Sequence, residues 1–212
     1  MIKIIAVDGP AGAGKSTVSK IIAEKLNFTY IDTGAMYRAV ALKFLRSGQP
    51  LEKIVENIEI KLDESAKVFL DGEDVTKKIR TPEVSKLASD VSKFSFVREK
   101  LTELQREMAK KGSVIMDGRD IGTKVLPNAD LKIFLTASLQ ERARRRFEEL
   151  KLKNPSVTIE DVEKEIFLRD KQDSERKIAP LAKAEDAILI DSTNFSVDDV
   201  VNKIFNLVRS EE

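Results

Sequence analysis

The stretch Gly9-Pro10-Ala11-Gly12-Ala13-Gly14-Lys15-Ser16-Thr17 constrains this chain more than any other. It fits the spacing G-x-x-x-x-G-K-[ST] at every fixed position. Glycines let the backbone curl tightly enough for several amide N–H groups to face one anion. Lys15 adds a mobile positive charge for β- and γ-phosphates, and Ser16 offers a hydroxyl to Mg²⁺. The residues before the loop, Ile2-Lys3-Ile4-Ile5-Ala6-Val7, are apolar and β-branched, as in a buried parallel strand. Beyond it Val18, Ile21, Ile22 and Leu26 recur at helical spacing. A helix therefore opens near Lys15, and its free N–H groups and dipole favour phosphate. The pattern predicts a nucleoside triphosphate site over all nine loop residues, with Mg²⁺ held through Ser16, and leaves the reaction open.

Composition narrows the chemistry. The chain has no His and no Cys, so neither imidazole nor thiolate catalysis is available. Lys, Arg, carboxylates, hydroxyls, amides and a bound cation remain, a set suited to phosphoryl transfer. With 37 basic and 36 acidic residues, the +1 balance gives no pull toward nucleic acid. No apolar run approaches the ~20 residues that span a bilayer. Met1-Ile2-Lys3 leads straight into a strand, so a cytoplasmic protein is expected.

The 212 residues suggest one domain. Further strands are predicted at Phe28-Thr29-Tyr30-Ile31, Ser113-Val114-Ile115-Met116, Leu131-Lys132-Ile133-Phe134-Leu135 and Ala187-Ile188-Leu189-Ile190. Helical patterns separate them, from about residues 35 to 46, 97 to 110 and 196 onward, with Thr81-Pro82 and Thr158 opening two more. Ser138-Leu139-Gln140-Glu141 has the form of a capping box. The alternation gives an α/β fold, a five-stranded parallel sheet with helices on both faces. Residues 51–80 break the rhythm: Ile58-Glu59-Ile60-Lys61-Leu62 alternates, and Val68-Phe69-Leu70 before Asp71-Gly72 reads as a hairpin. They form a small β-rich insertion between core segments 1–50, 81–140 and 178–212, with a helical lid at about 141–158.

In such sheets ligands bind outside the carboxyl ends of the strands. Asp32 and Asp117 sit there, and Asp117 after its apolar strand has the place of a carboxylate that holds Mg²⁺ directly or through water. Arg38, Arg98, Arg119, Arg169 and Arg176 fall near strand ends or on helices able to face the same cleft, and guanidinium forks suit a second phosphate-bearing substrate. Arg142, Arg144, Arg145 and Arg146 crowd one short helix. Spacing does not choose among these four; Arg142 and Arg146 are the candidates for a lid over the transferring group.

The chain resembles the bacterial-type cytidylate kinases among the nucleoside monophosphate kinases. Beyond the loop, the resemblance rests on Asp32-Thr33-Gly34-Ala35-Met36-Tyr37-Arg38, Ile79-Arg80-Thr81-Pro82-Glu83-Val84, Asp117-Gly118-Arg119-Asp120-Ile121-Gly122-Thr123 and Ala179-Pro180-Leu181. It covers nearly the whole length. It implies transfer of the ATP γ-phosphate to CMP or dCMP with Mg²⁺, by a monomer. The family's cytosine contacts map onto Ser89, Arg98 and Asp120, its sugar contacts onto Asp173 and Arg169, and its acceptor-phosphate clamp onto Arg38, Arg119 and Arg176. Thr33 fills a position held by Ser or Thr. Lys15, Asp117, Arg119 and Arg176 are the implied catalytic set. Gln172 and Ser174 depart from the pattern, standing where some members carry further charge.

Two alternatives remain at this stage. One is a kinase of the same fold with another acceptor, such as UMP, AMP or a small alcohol. The other is a nucleotide-binding switch without small-molecule chemistry; a GTPase would need an N-K-x-D motif, which the sequence lacks.

Overall fold

Strand β1 (Ile4–Asp8) is sorted by its own alternation: Ile5 and Val7 face one apolar layer, Ile4 and Ala6 the other. Burial on both faces demands an apolar run, which explains why this strand can sit at the centre of a sheet. In the computed structural model, which describes residues 2–63, 65–152 and 154–210, β1 is joined by β2 (Thr29–Asp32), then later in the chain by three further parallel strands. Residue 64 of the expected insertion, residue 153 of the expected lid, and the terminal residues 1, 211 and 212 lie outside the described residues.

Helix α1 (Lys15–Leu26) follows β1, and α2 (Thr33–Ser47) follows β2. Asp32 caps α2 by accepting from the Ala35 N–H at 2.8 Å. The segment after α2 opens on a helix, α3 (Leu51–Glu56), inside what the sequence marks as a β-rich insertion. Its apolar residues Leu51, Ile54 and Val55 stand at i, i+3 and i+4, but six residues are too few for that period to stand out. Three short antiparallel strands come next: β3 (Ile60–Leu62), β4 (Val68–Leu70) and β5 (Glu73–Asp74). Asp71 (φ 49°) and Gly72 (φ 86°) make the tight turn between β4 and β5, both left-handed, as a two-residue hairpin requires.

A single 3-10 turn (Lys78–Arg80) leads into α4 (Pro82–Val91), capped by Thr81, whose hydroxyl accepts from Val84 N–H at 3.2 Å. Helix α5 (Ser95–Ala109) completes this region, and Met36, Val40, Ile54, Ile79 and Leu101 share one apolar core across it. The chain then re-enters the main sheet as β6 (Val114–Gly118) and, after a π-helical turn (Ile121–Val125), as β7 (Leu131–Thr136). Helices α6 (Leu139–Lys151) and α7 (Ile159–Glu175) pair through Ala143, Val162 and Ile166 and pack on Ala11 of the loop. The chain ends with β8 (Ile188–Asp191) and α8 (Val197–Ser210).

The main sheet runs β2-β6-β1-β7-β8, all parallel. Helices α1 and α8 cover one face; the end of α5 and the π-helical turn cover the other. Register aligns the strand ends: Asp32 pairs with Asp117, and Asp117 with Val7, the residue before Asp8. Three carboxylates thus meet at the carboxyl edge, where the first loop also lies. Among the described residues, no helix is long and apolar enough to cross a membrane.

Candidate active site

The loop is held by close approach as much as by hydrogen bonds. A Cβ on Gly9 (φ +149°) would stand 1.9 Å from the Leu135 carbonyl oxygen of β7, so no side chain fits. Lys15 is buried and donates from Nζ to the carbonyls of Gly9 and Pro10, both at 2.7 Å. Burial, then the neighbouring Arg119, lowers its pKa, so an incoming polyphosphate meets an ammonium short of counter-charge. Ser16 Oγ donates to Asp117 Oδ2 at 2.8 Å, and Tyr30 donates to Oδ1 at 2.9 Å. Burial, seconded by Asp32, pushes the Asp117 carboxyl up to about 6. A hydroxyl and a carboxylate oxygen side by side at the loop mouth are hard donors that suit Mg²⁺.

Across the cleft the predicted arginines converge. Arg38 and Arg80 both reach Asp32 Oδ2, at 3.0 and 2.9 Å. Burial opposes ionisation of Asp32, but these two cations win and hold it below the usual range. Arg119 donates to Asp173 at 2.8 Å, and Arg176 lies 3.6 Å from the same carboxylate. Among the described residues, Nε of Arg169 is buried with no hydrogen-bond partner, as is Nε of Arg38. Burial, then Arg119, lowers the Arg169 pKa to about 10. Arg119, itself held in the charged form by Asp173, thus disfavours the charges of Lys15 and Arg169, which an anion would relieve. Thr33 donates to the Asp117 carbonyl at 2.7 Å and lies against Gly118, where a Cβ would come within 2.8 Å of its hydroxyl.

At the far end, Arg98 donates to Asp120 Oδ2 at 2.6 Å and lies over the Tyr37 ring at 5.5 Å. Arg176 approaches Asp120 Oδ1 at 3.5 Å. Ser89, on α4, lines the same cleft.

Asp8 was not singled out from sequence. Its carboxylate accepts from Ile121 N–H at 2.8 Å and Gly122 N–H at 2.7 Å, which ties the end of β1 to the turn after Asp120. Burial pushes this carboxyl from 3.8 up to about 6 against the pull of those two amides. A raised folded-state pKa means that its contribution to stability is complete below the unfolded value and lost as pH rises through the folded one. Asp8→Asn removes that titration. The stability of wild type minus Asp8→Asn is expected to fall by up to about 3 kcal/mol between about pH 4 and pH 7, checked by urea unfolding. A difference that stays constant with pH excludes the shift.

The arginine run resolves into separate jobs. Arg144 pairs with Glu141 and Glu148, Arg146 pairs with Glu149, and all three of Arg144, Arg145 and Arg146 border the cleft. Glu141 is taken by Arg144 and Arg145, so only half of the expected capping box forms: Ser138 Oγ accepts from Glu141 N–H, while Ser138 N–H goes to Thr193. Arg142, expected to cover the transferring group, does not line the cleft. It is 7% exposed and donates to the carbonyls of Ala137 and Ala11, both at 2.9 Å, and to Asp170 at 2.5 Å. Asp170 in turn accepts from Ala11 N–H at 2.9 Å. The pair grips one loop residue, Ala11, by both its backbone polar groups, a contact that supports the loop's shape. Arg142→Ala leaves Asp170 uncompensated and is expected to cost about 3 kcal/mol of stability. Arg146→Ala is expected to leave the melting temperature in place and lower kcat; equal melting temperatures for the two variants would contradict this division.

The cleft between the loop and these arginines holds about 1200 Å³. It is also bordered by Ser192, Phe195 and Val197, an apolar and hydroxyl-bearing wall missed from the sequence because these residues flank the last strand with no motif of their own. Arg80 was also missed as a site residue; its conjunction with Asp32 crosses 48 residues.

A parallel sheet, a phosphate-binding loop at its central strand and a facing set of arginines define a phosphate-loop kinase of the α/β class. The solved shikimate kinase from Acinetobacter baumannii shares this fold, with a TM-score of 0.53 at 18% identity, covering 100% of this chain and 96% of that one. The chain belongs to the cytidylate kinase family, whose sequence pattern matches residues 5–210. It is 58% identical to the cytidylate kinase of Caldicellulosiruptor bescii, covering 96% of this chain and 94% of that protein. It is 53% identical to that of Carboxydothermus hydrogenoformans, covering 96% of each. It is therefore a phosphotransferase that works on nucleotides.

Proposed function

We propose that this chain transfers the γ-phosphoryl group of ATP to CMP or dCMP, giving CDP or dCDP and ADP. The observation that carries the choice of acceptor is the buried pair of Asp120 and Arg98 at 2.6 Å, across the cleft from the loop. Cytosine offers an N4 amine beside the N3 and O2 acceptors. Asp120 accepts from the amine, and Arg98 and Ser89 donate to the acceptors. Uracil carries an oxygen where cytosine has its amine, so it would set one acceptor against another at Asp120 Oδ1. Arg169 and Asp173 take the sugar, and Arg38, Arg119 and Arg176 take the acceptor phosphate, aided by Thr33.

An acceptor phosphate oxygen attacks γ-phosphorus in line, and the electrons of the breaking bridge bond stay on ADP. Lys15 and Arg119 neutralise the oxygens around the transferring group, and Arg145 and Arg146 close over it from α6. Without His, no protein base need act, because the acceptor phosphate arrives already ionised. Ser16 and Asp117 would hold Mg²⁺ arriving with ATP, and the ion would add charge neutralisation there. We propose that the enzyme works as a cytoplasmic monomer on free nucleotides, binding neither nucleic acid nor membrane. An acceptor panel read by ADP release tests the assignment: kcat/KM for CMP or dCMP is expected to exceed that for UMP and AMP. Faster turnover of AMP or UMP would overturn it.

A further inference from the structure

Helix α7 touches the acceptor site in two ways: Arg169 and Asp173, with Arg176 just past its end, line the cleft, and Gln172, which does not line it, reaches across to α4. Gln172 Nε2 lies 2.9 Å from the carbonyl oxygen of Ser89 and 2.7 Å from its Oγ. The chemistry of the partners decides which end of the amide this is. A backbone carbonyl can only accept, so the nitrogen faces Ser89, and its two hydrogens serve the two oxygens. The same carbonyl also accepts from Ser92 Oγ at 2.8 Å, which holds the Ser89 backbone from its own helix end.

The consequence falls on the Ser89 hydroxyl. A serine Oγ–H has one hydrogen and can serve as donor or acceptor according to its surroundings. With Gln172 donating into Oγ, the hydroxyl is loaded as acceptor from behind. Its own hydrogen is left for the cleft, and it donates to no protein group among the described residues. We propose that Gln172 is a positioning residue for base recognition: it holds the Ser89 hydroxyl as a hydrogen-bond donor toward the nucleobase. A fixed donor suits N3 or O2 of cytosine and opposes the N3–H of uracil. The base is thereby read from two sides by opposite polarities, an acceptor at Asp120 and a donor at Ser89. The spacing serves this too, since Gln172 adjoins Asp173, so the tie from α7 to α4 sets the base-reading and sugar-reading groups at one separation.

The inference rests on the assignment of CMP as acceptor. A merely structural tie between two helices predicts equal losses for every acceptor; control of hydroxyl polarity predicts a change in discrimination. Gln172→Glu separates them, because a carboxylate has no hydrogen to give. Ser89 then donates backward to Glu and turns lone pairs to the base. The kcat/KM ratio of CMP over UMP is expected to fall about tenfold in Gln172→Glu, one good hydrogen bond's worth. The change should appear in KM for CMP, with kcat and KM for ATP within about twofold of wild type. Gln172→Met, which keeps length and donates nothing, is expected to give a smaller fall and serves if the Glu variant folds poorly. In a Ser89→Ala background, Gln172→Glu should leave the ratio unchanged. Equal losses for CMP and UMP, or a ratio change that persists without the serine hydroxyl, would overturn the role of Gln172. A wild-type chain that prefers UMP or AMP would instead overturn the acceptor assignment itself.

Discussion

Lys15→Ala is expected to lower kcat by about 10³-fold while the fold survives. Nζ is the one mobile cation inside the loop, and without ligand it rests on the loop's own carbonyls of Gly9 and Pro10. Polyphosphate draws it away from those carbonyls, so the charge is already desolvated where the γ-phosphoryl group will carry its developing negative charge. Desolvation makes the contribution large, because a charge in a dry site is worth more than one in water. Its loss leaves the buried carbonyls of Gly9 and Pro10 without this donor, at about 1–3 kcal/mol each, so the variant should melt below wild type while still folded. Single-turnover ADP release and thermal melting check the two halves of this result. Near-normal turnover would remove Lys15 from the chemistry, and collapse of the fold would show that the loop depends on the ammonium for its shape. Lys15→Arg should not rescue fully, because a planar fork cannot occupy the space between the two carbonyls as a compact ammonium does.

What could be read from the sequence was what is local. The loop, its strand and its helix are contiguous, and glycine at positions 9 and 14 announces backbone angles that other residues avoid. Strands β1 and β6 were legible because burial on both faces demands unbroken apolar runs, and Asp32 and Asp117 because each ends an apolar run. The rest depends on contacts between distant segments. Arg142 looked like one of four equivalent arginines until Asp170, 28 residues on, and Ala11, 131 residues back, drew it inward. Nothing in the local pattern of α6 separates a guanidinium that clamps the loop from its neighbours that border the cleft. Asp8 reads as the last residue of a strand, and its bonds to Ile121 and Gly122 span more than a hundred residues. Gln172 looked like a departure from a charged motif; its partner lies 83 residues away, on a helix whose own sequence carries no sign of α7.

Asp120 is where acceptor identity meets stability, and its two substitutions should part company. In Asp120→Ala the buried Arg98, 4% exposed, loses its carboxylate partner, and Arg176 loses a nearby counter-charge. An uncompensated buried charge costs about 3–5 kcal/mol, so this variant should melt well below wild type whatever it does to catalysis. Asp120→Asn is the sharper test. The arginine at 2.6 Å from Oδ2 can only donate, so the amide oxygen of Asn must face Arg98. The amide nitrogen then takes the place of Oδ1, the oxygen with the weaker contact to Arg176 at 3.5 Å. A group that accepted from the cytosine amine becomes one that donates to the oxygen uracil carries there. Each hydrogen bond lost on one base and gained on the other is worth about 1–3 kcal/mol, so the CMP-to-UMP ratio of kcat/KM should fall about 100-fold with the fold retained. Most of that fall is expected in KM for CMP, since the carboxylate lies at the base and away from the transferring phosphorus. An unchanged ratio in a well-folded Asp120→Asn protein would mean that the base is read elsewhere, and would leave the Asp120–Arg98 pair as a support for the cleft wall.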